Sequence, residues 1–216
     1  MTSFSLVLLH SNWDNFLSSW LTEFLLKQLR ENLSLWNCIT LVSYMIDFLK
    51  EIAERENATL TIKDKVIKVG MGVRSPNILY TFKTRHEEIE ITISNELGTT
   101  AIGKAYCRFP ENMEPLDFKI ETRSNFITFF LGNGKRFKIS SSDERFIIFL
   151  RSTMHQKDIL ALIKSTQFEP YIFSIQKSNC TEIIAEYNLM FANWTDSIGH
   201  IFNIYKQIID WHLNAK

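Results

Sequence analysis

The string RHEEIE at residues 85–90 is the first place where residue types and spacing could do chemistry. A zinc-protease helix carries His at i and i+4, so that both imidazoles reach one metal, with a Glu between them as general base. Here the position four after His86 is Glu90, so the second ligand is missing, and the setting is a hairpin rather than a helix. His86 is expected in an exposed polar turn. Phosphate loops fail in a similar way. GNGK at 132–135 lacks the first Gly spacing of a P-loop, and Lys135 is followed by Arg136 rather than Ser or Thr. GMG at 70–72 reads as a loop at the end of a strand, where Gly tolerates positive φ.

Nucleophilic chemistry finds no support either. There is no G-x-S-x-G elbow. Cys38, Cys107 and Cys180 are odd in number and far apart, each in an apolar or strand context, and read as reduced core thiols. Glu87–Glu88 and Asp143–Glu144 read as solvated charges of a turn and a helix start. Asp210 and His212, in DWH, fall near the end of a helix, where His suits the dipole. One dispersed group is conceivable on neighbouring strands: Lys83, His86, Glu88, Lys104, Tyr106 and Arg108. Charges pairing across a ladder account for it more simply. The sequence assigns no catalytic, cofactor-binding or metal-ligating residue and implies no cofactor.

Those residues must be positioned by elements that the hydrophobic pattern defines. Residues 13–29 place Trp13, Phe16, Leu17, Trp20, Leu21, Phe24, Leu25 and Leu29 on one helical face. The next segment, NLSLWNCITLVSYMIDFLKE (32–51), has no charge between Glu31 and Asp47. Its 15 uncharged residues make a helix of about 22 Å, short of the roughly 30 Å of a hydrocarbon core. Asn32, Ser34, Asn37, Thr40 and Ser43 interrupt its apolar surface. A buried core helix is expected, with a membrane-inserted hairpin through residues 13–49 as the alternative.

From residue 58 the period changes from 3.6 to 2. ATLTIK, KVIKV, NILYTFK, EIEITIS, TAIGKAYCRF, LDFKIET, FITFFL and RFKIS read as strands. KDK (63–65), TRHEE and GNGK read as their turns. Helices are expected in SSSDERFIIFLRS, with a Ser141–Glu144 capping box, and in HQKDILALIKS. Two strands follow, joined at 177–179. The last helix has Ile198, Ile201, Phe202, Tyr205, Ile208, Ile209 and His212 along one stripe.

The expected fold is therefore α+β. It has an N-terminal helical hairpin (1–57), an antiparallel sheet that curls or forms a half-barrel, and a C-terminal helix-strand-strand-helix return packing on it. The β-rich domain covers 58–216. With 24 basic and 24 acidic residues the chain is neutral, and no basic footprint marks it as a nucleic-acid binder. The first basic residue is Lys27, so the start lacks the positive region of a signal peptide, and a cytoplasmic protein is expected. The functional expectation is a non-catalytic interaction module, soluble or peripheral to a membrane, with a protein partner or a second copy. Seventeen Phe leave an apolar-ligand or lipid carrier as the alternative, and an enzyme with dispersed residues as a weaker one.

Overall fold

The computed structural model describes residues 45–69, 73–98, 100–110, 116–123, 136–166, 168–191 and 193–214. The chain divides into two compact units, 1–48 and 49–216. Of the first, only 45–48 are described, so the helices expected over 13–44 lie outside the described residues. The same holds for Cys38, FITFFL and GNGK. Helix α1 covers 45–55. It stops where Asn57 takes a left-handed φ of 50°. The amide of Ala58 then bonds the Ala53 carbonyl and that of Asn57 bonds Glu54, a Schellman arrangement that satisfies two end carbonyls.

Eight strands follow: β1 (Thr59–Val69), β2 (Val73–His86), β3 (Ile89–Leu97), β4 (Ala101–Pro110), β5 (Phe118–Thr122), β6 (Phe137–Ser141), β7 (Tyr171–Lys177) and β8 (Cys180–Asn188). Three further helices are α2 (Glu144–Met154), α3 (Lys157–Ser165) and α4 (Asp196–Asn214). The strands form one antiparallel sheet in the order β1-β2-β3-β4-β8-β7-β5-β6. The fold is α+β.

Three expectations change here. KDK is not a turn: Lys63, Asp64 and Lys65 continue β1, paired opposite Leu79, Ile78 and Asn77. A partner strand that runs past them keeps charged residues extended, and a single strand replaces two. The C-terminal strands do not pack on the sheet. The β7–β8 hairpin forms its middle, between β4 and β5. Buried residues Ile172, Ile183, Ala185 and Tyr187 gain neighbours on both sides there, whereas an outer hairpin would leave an edge open. Finally, α2 is capped by Asp143, whose carboxylate accepts from the amides of Arg145 (2.8 Å) and Phe146 (3.3 Å). Ser141 instead donates to the Asp117 carbonyl at 2.7 Å.

The β2–β3 connection is as short as a hairpin allows. His86 pairs with Ile89, leaving Glu87 and Glu88 as a two-residue turn with φ of 47° and 67°. Both central residues are left-handed, as a type I′ turn requires, although neither is Gly or Asn.

One face of the sheet is dry. Phe82, Ile91, Ile93, Ala105, Cys107, Phe109, Ile183 and Ala185 are buried beneath α4 and its neighbours. The whole predicted α4 stripe is buried, from Ile198 to His212, and Ile204 joins it. Phe202 meets Phe82 edge to face at 6.3 Å, and His212 meets Phe109 likewise at 5.0 Å. The Tyr205 hydroxyl reaches into the sheet, donating to the carbonyls of Ala105 (2.8 Å) and Ile183 (3.3 Å). Over β5 the Phe146 ring of α2 packs edge to face on Phe118 and tilts against Trp211. The aromatic side chains fill this face.

A polar row crosses the same face. Register places Tyr80 opposite Asn95, Asn95 opposite Gly103, and Gly103 opposite Tyr187. The Tyr187 ring lies over Gly103 so closely that a Cβ there would stand 2.1 Å from its Cε2. Glycine lets the ring cross β4 and donate to Asn95 Oδ1 at 2.8 Å, with both residues buried.

Candidate functional site

The residues that suggested dispersed chemistry do not converge. His86 is the last residue of β2, half-buried rather than exposed in a turn. Its Nε2 lies 2.6 Å from Asp210 Oδ1 on α4. The pair arises because α4 crosses the end of the β2–β3 hairpin, a proximity of residues 124 apart in sequence. Lys83 instead pairs across the ladder with Glu90 at 3.4 Å, and Glu88 sits in the turn 3.8 Å from Arg85. Lys104, Tyr106 and Arg108 alternate with the buried residues of β4 and so face away from α4. They belong to the other side of the sheet from His86.

Beside His86–Asp210, α2 and α4 form a shallow aromatic shelf. Phe149 and Trp211 stack with centroids 5.8 Å apart, and together with Gln207, Asp210 and Asn214 they line an open depression of about 290 Å³. The shelf offers an aromatic surface and amide groups, with its carboxylate already engaged by His86. The dyad has no thiol nucleophile in Cys107. That thiol is wholly buried, and burial pushes its pKa far up, away from the reactive thiolate. Among the described residues no group of three or more His, Cys, Asp and Glu could hold a metal ion.

The outer face of the sheet carries a different arrangement. Tyr106 on β4 lies opposite Ile184 on β8, Ile184 opposite Phe173 on β7, and Phe173 opposite Lys119 on β5. These residues form a continuous row across four strands. Tyr106 is 41 % exposed, and Ile102 and Ile175, at 44 % and 38 %, extend the patch to either side. Tyr171 tilts against Phe173 at 4.8 Å, and the Lys119 ammonium stands 5.1 Å from the Tyr171 ring.

Paired charges frame this row. Lys104 binds Glu186 at 2.7 Å, and Lys119 and Lys138 share Glu121 at 2.5 and 3.6 Å. At the β7–β8 hairpin, Glu182 is nearly buried between Lys177 and Arg108, with Arg108 Nη2 at 2.6 Å. Hydrogen bonding from Lys177, then from Arg108, holds its carboxyl below the ordinary 4.5. The Glu121 carboxyl is lowered too, first by its bond from Lys119. Both signs are present and mutually satisfied, so the rim carries little net field while its centre is apolar.

Sequence reasoning singled out Tyr106, Lys104 and Arg108 and favoured charges pairing across a ladder, as Lys104 and Arg108 do with Glu186 and Glu182 on β8. It missed Ile184, Phe173 and Ile175 because their neighbours are set by the insertion of β7–β8. The signal available was the apolar content of PYIFSIQ on alternate positions that a one-sided strand would leave polar. Among the described residues no helix is long and apolar enough to cross a membrane. No family model matches the chain, and no curated protein or solved structure matches it either.

Proposed function

We propose that this chain is a non-catalytic interaction module that docks a protein partner on the outer face of its sheet, centred on Tyr106, Ile184 and Phe173. The observation that carries this reading is the apolar row framed by ion pairs, exposed at Tyr106 and half-buried at Ile184 and Phe173. It has the anatomy of a protein interface: an aromatic and aliphatic centre, depleted of charge, with a polar rim. Rim charges of both signs suit a second copy of the chain as readily as a different protein, and the neutral overall charge adds no long-range repulsion between copies. The helical hairpin expected over 1–57 and the curl of the sheet remain part of the reading.

Two observations favour this over the alternatives. The face beneath α4 is filled by Phe82, Phe109, Phe202 and Tyr205, which speaks against an apolar-ligand carrier. The separation of His86 from Lys104, Tyr106 and Arg108 speaks against dispersed catalysis. The test is to place a photo-crosslinking amino acid at Tyr106, Ile102 or Ile175, and at exposed Met190 as control, in the full chain in the cells that produce it. A discrete adduct is expected from the three sheet positions and not from Met190. A mass of twice the chain identifies a second copy. Absence of adduct at all three positions refutes the reading.

A further inference from the structure

On the outer face of the sheet the cations that frame the apolar row have acid partners. Along α2 and α3 they do not. Residues 145–166 hold Arg145, Arg151, Lys157 and Lys164, all exposed, against the single acid Asp158. Among the described residues the guanidinium groups of Arg145 and Arg151 have no acceptor. Helical spacing explains their place. Phe146, Leu150, Thr153 and Met154 turn one side of α2 to the core, which leaves Arg145, Ile148 and Arg151 outward. Ile148, between the two arginines, is 66 % exposed.

This strip runs into the aromatic shelf of α2 and α4. Phe149 lies one turn after Arg145, with their Cβ atoms roughly 6 Å apart. The shelf is held from behind. Trp211 rests on Phe146 at 4.3 Å as well as on Phe149, and Gln207 Oε1 accepts from Thr153 Oγ1 and Gln156 Nε2, both at 3.0 Å. A surface fixed in this way loses little freedom when it is covered. Among the described residues the Trp211 indole N–H has no acceptor. The one carboxylate lining the shelf, Asp210, is engaged by His86. Glu144 starts α2 on the flank away from Phe149, so the unused charge nearest the shelf is positive.

From these features we infer that the α2–α4 shelf receives an acidic amphipathic helix of a partner protein, with an apolar anchor on Phe149 and Trp211 and carboxylates at Arg145 and Arg151. Charge complementarity selects the acids. The depression, about 290 Å³ and open, lies at the foot of the range for small-molecule pockets, roughly 300–1,000 Å³, and suits one large side chain. The single turn between Arg145 and Phe149 matches an acid and an anchor three or four residues apart on a partner helix. A flat anionic bilayer makes no use of a recess and would meet the carboxylates of Glu144 and Asp210. This inference stands independently of the sheet-face proposal. The helices α2 and α4 cover the other face, so one chain can hold two partners at once.

The experiment is fluorescence anisotropy of the full chain with labelled, stapled alanine-based helices. Each carries one Phe anchor, with Glu, Gln or Lys at the positions three and four residues to either side. The Glu helix is expected to bind and the Lys helix not, with the Gln helix weaker by roughly tenfold, since two exposed charge pairs contribute up to about fivefold each. Arg145→Glu/Arg151→Glu should reverse the preference towards the Lys helix. Ile148→Asp should weaken the Glu helix, and circular dichroism checks that both variants keep the fold. Failure of the Glu helix to bind, equal binding of Glu and Lys helices, or an unchanged preference in the double variant overturns the inference. So does flotation of the full chain with phosphatidylserine vesicles that the double variant abolishes.

Discussion

Gly103→Ala is the substitution whose outcome the packing fixes most sharply. The added Cβ would stand 2.1 Å from Tyr187 Cε2, 2.3 Å from Cζ and 2.6 Å from Cδ2, so the rigid ring has to move off β4. In moving it breaks the 2.8 Å bond to Asn95 Oδ1. Asn95 is fully buried and its Nδ2 already has no partner, so its whole amide becomes unsatisfied. Losing that bond and stranding a buried amide costs about 2–3 kcal/mol, and overpacking adds about 1 kcal/mol. The opposing gain, reduced freedom of the unfolded chain on replacing Gly, is about 0.4–1 kcal/mol. The net expectation is destabilisation of about 3 kcal/mol, or a fall in Tm of roughly 6–12 °C for a unit of this size. Urea unfolding of the full chain, followed by circular dichroism, measures it. The double variant Gly103→Ala/Tyr187→Leu, in which a flexible side chain replaces the ring, is expected to cost well below the sum of the single changes. A Gly103→Ala protein within about 0.5 kcal/mol of the parent, or strictly additive costs in the double variant, refutes the reasoning.

Further expectations follow from single contacts. Replacing Glu87–Glu88 by Asn-Gly relieves two left-handed non-glycine residues and should raise stability by about 1–2 kcal/mol in thermal unfolding; a less stable variant contradicts the turn assignment. Tyr205→Phe removes the hydroxyl that ties α4 to Ala105 and Ile183 and should cost about 1–2 kcal/mol, a loss that an unchanged urea midpoint excludes. Burial holds the His200 imidazole below its ordinary 6.5, Arg55 acts in the same sense, and Asp158 and Asp196 oppose it. The unfolded chain therefore binds this proton first as pH falls, so stability declines from pH 6.5 downward, and His200→Gln should flatten the decline. Glu182 titrates below 4.5 in the fold, so its contribution is present above 4.5 and is lost as pH falls through the lower folded value. Glu182→Gln should be the less stable protein at neutral pH and converge on the parent in acid; a constant gap across that range argues against the Lys177–Glu182–Arg108 cluster.

Residue order alone determined the parts that depend on alternation and period. The α4 stripe from Ile198 to His212 is buried as the 3.6 spacing requires, and Ile89, Ile91 and Ile93 face inward as EIEITIS requires. TRHEE turns where expected, because polar residues between two alternating runs leave the chain one short way back. In each case neighbours within a few residues carry the information. Which strands lie side by side is a different matter. Only tertiary structure seated β7–β8 between β4 and β5, and that insertion created the Tyr106–Ile184–Phe173 row. The His86–Asp210 contact likewise appears only when α4 crosses the hairpin end. The pairing that carries β1 through Lys63–Lys65 depends on how far β2 extends, which local charge suggested wrongly. The physical reason is common to all three. An alternating strand specifies its two faces through its own side chains, but its hydrogen-bonding edges are backbone, nearly identical in every strand, and are matched only when the whole sheet buries its apolar face at once.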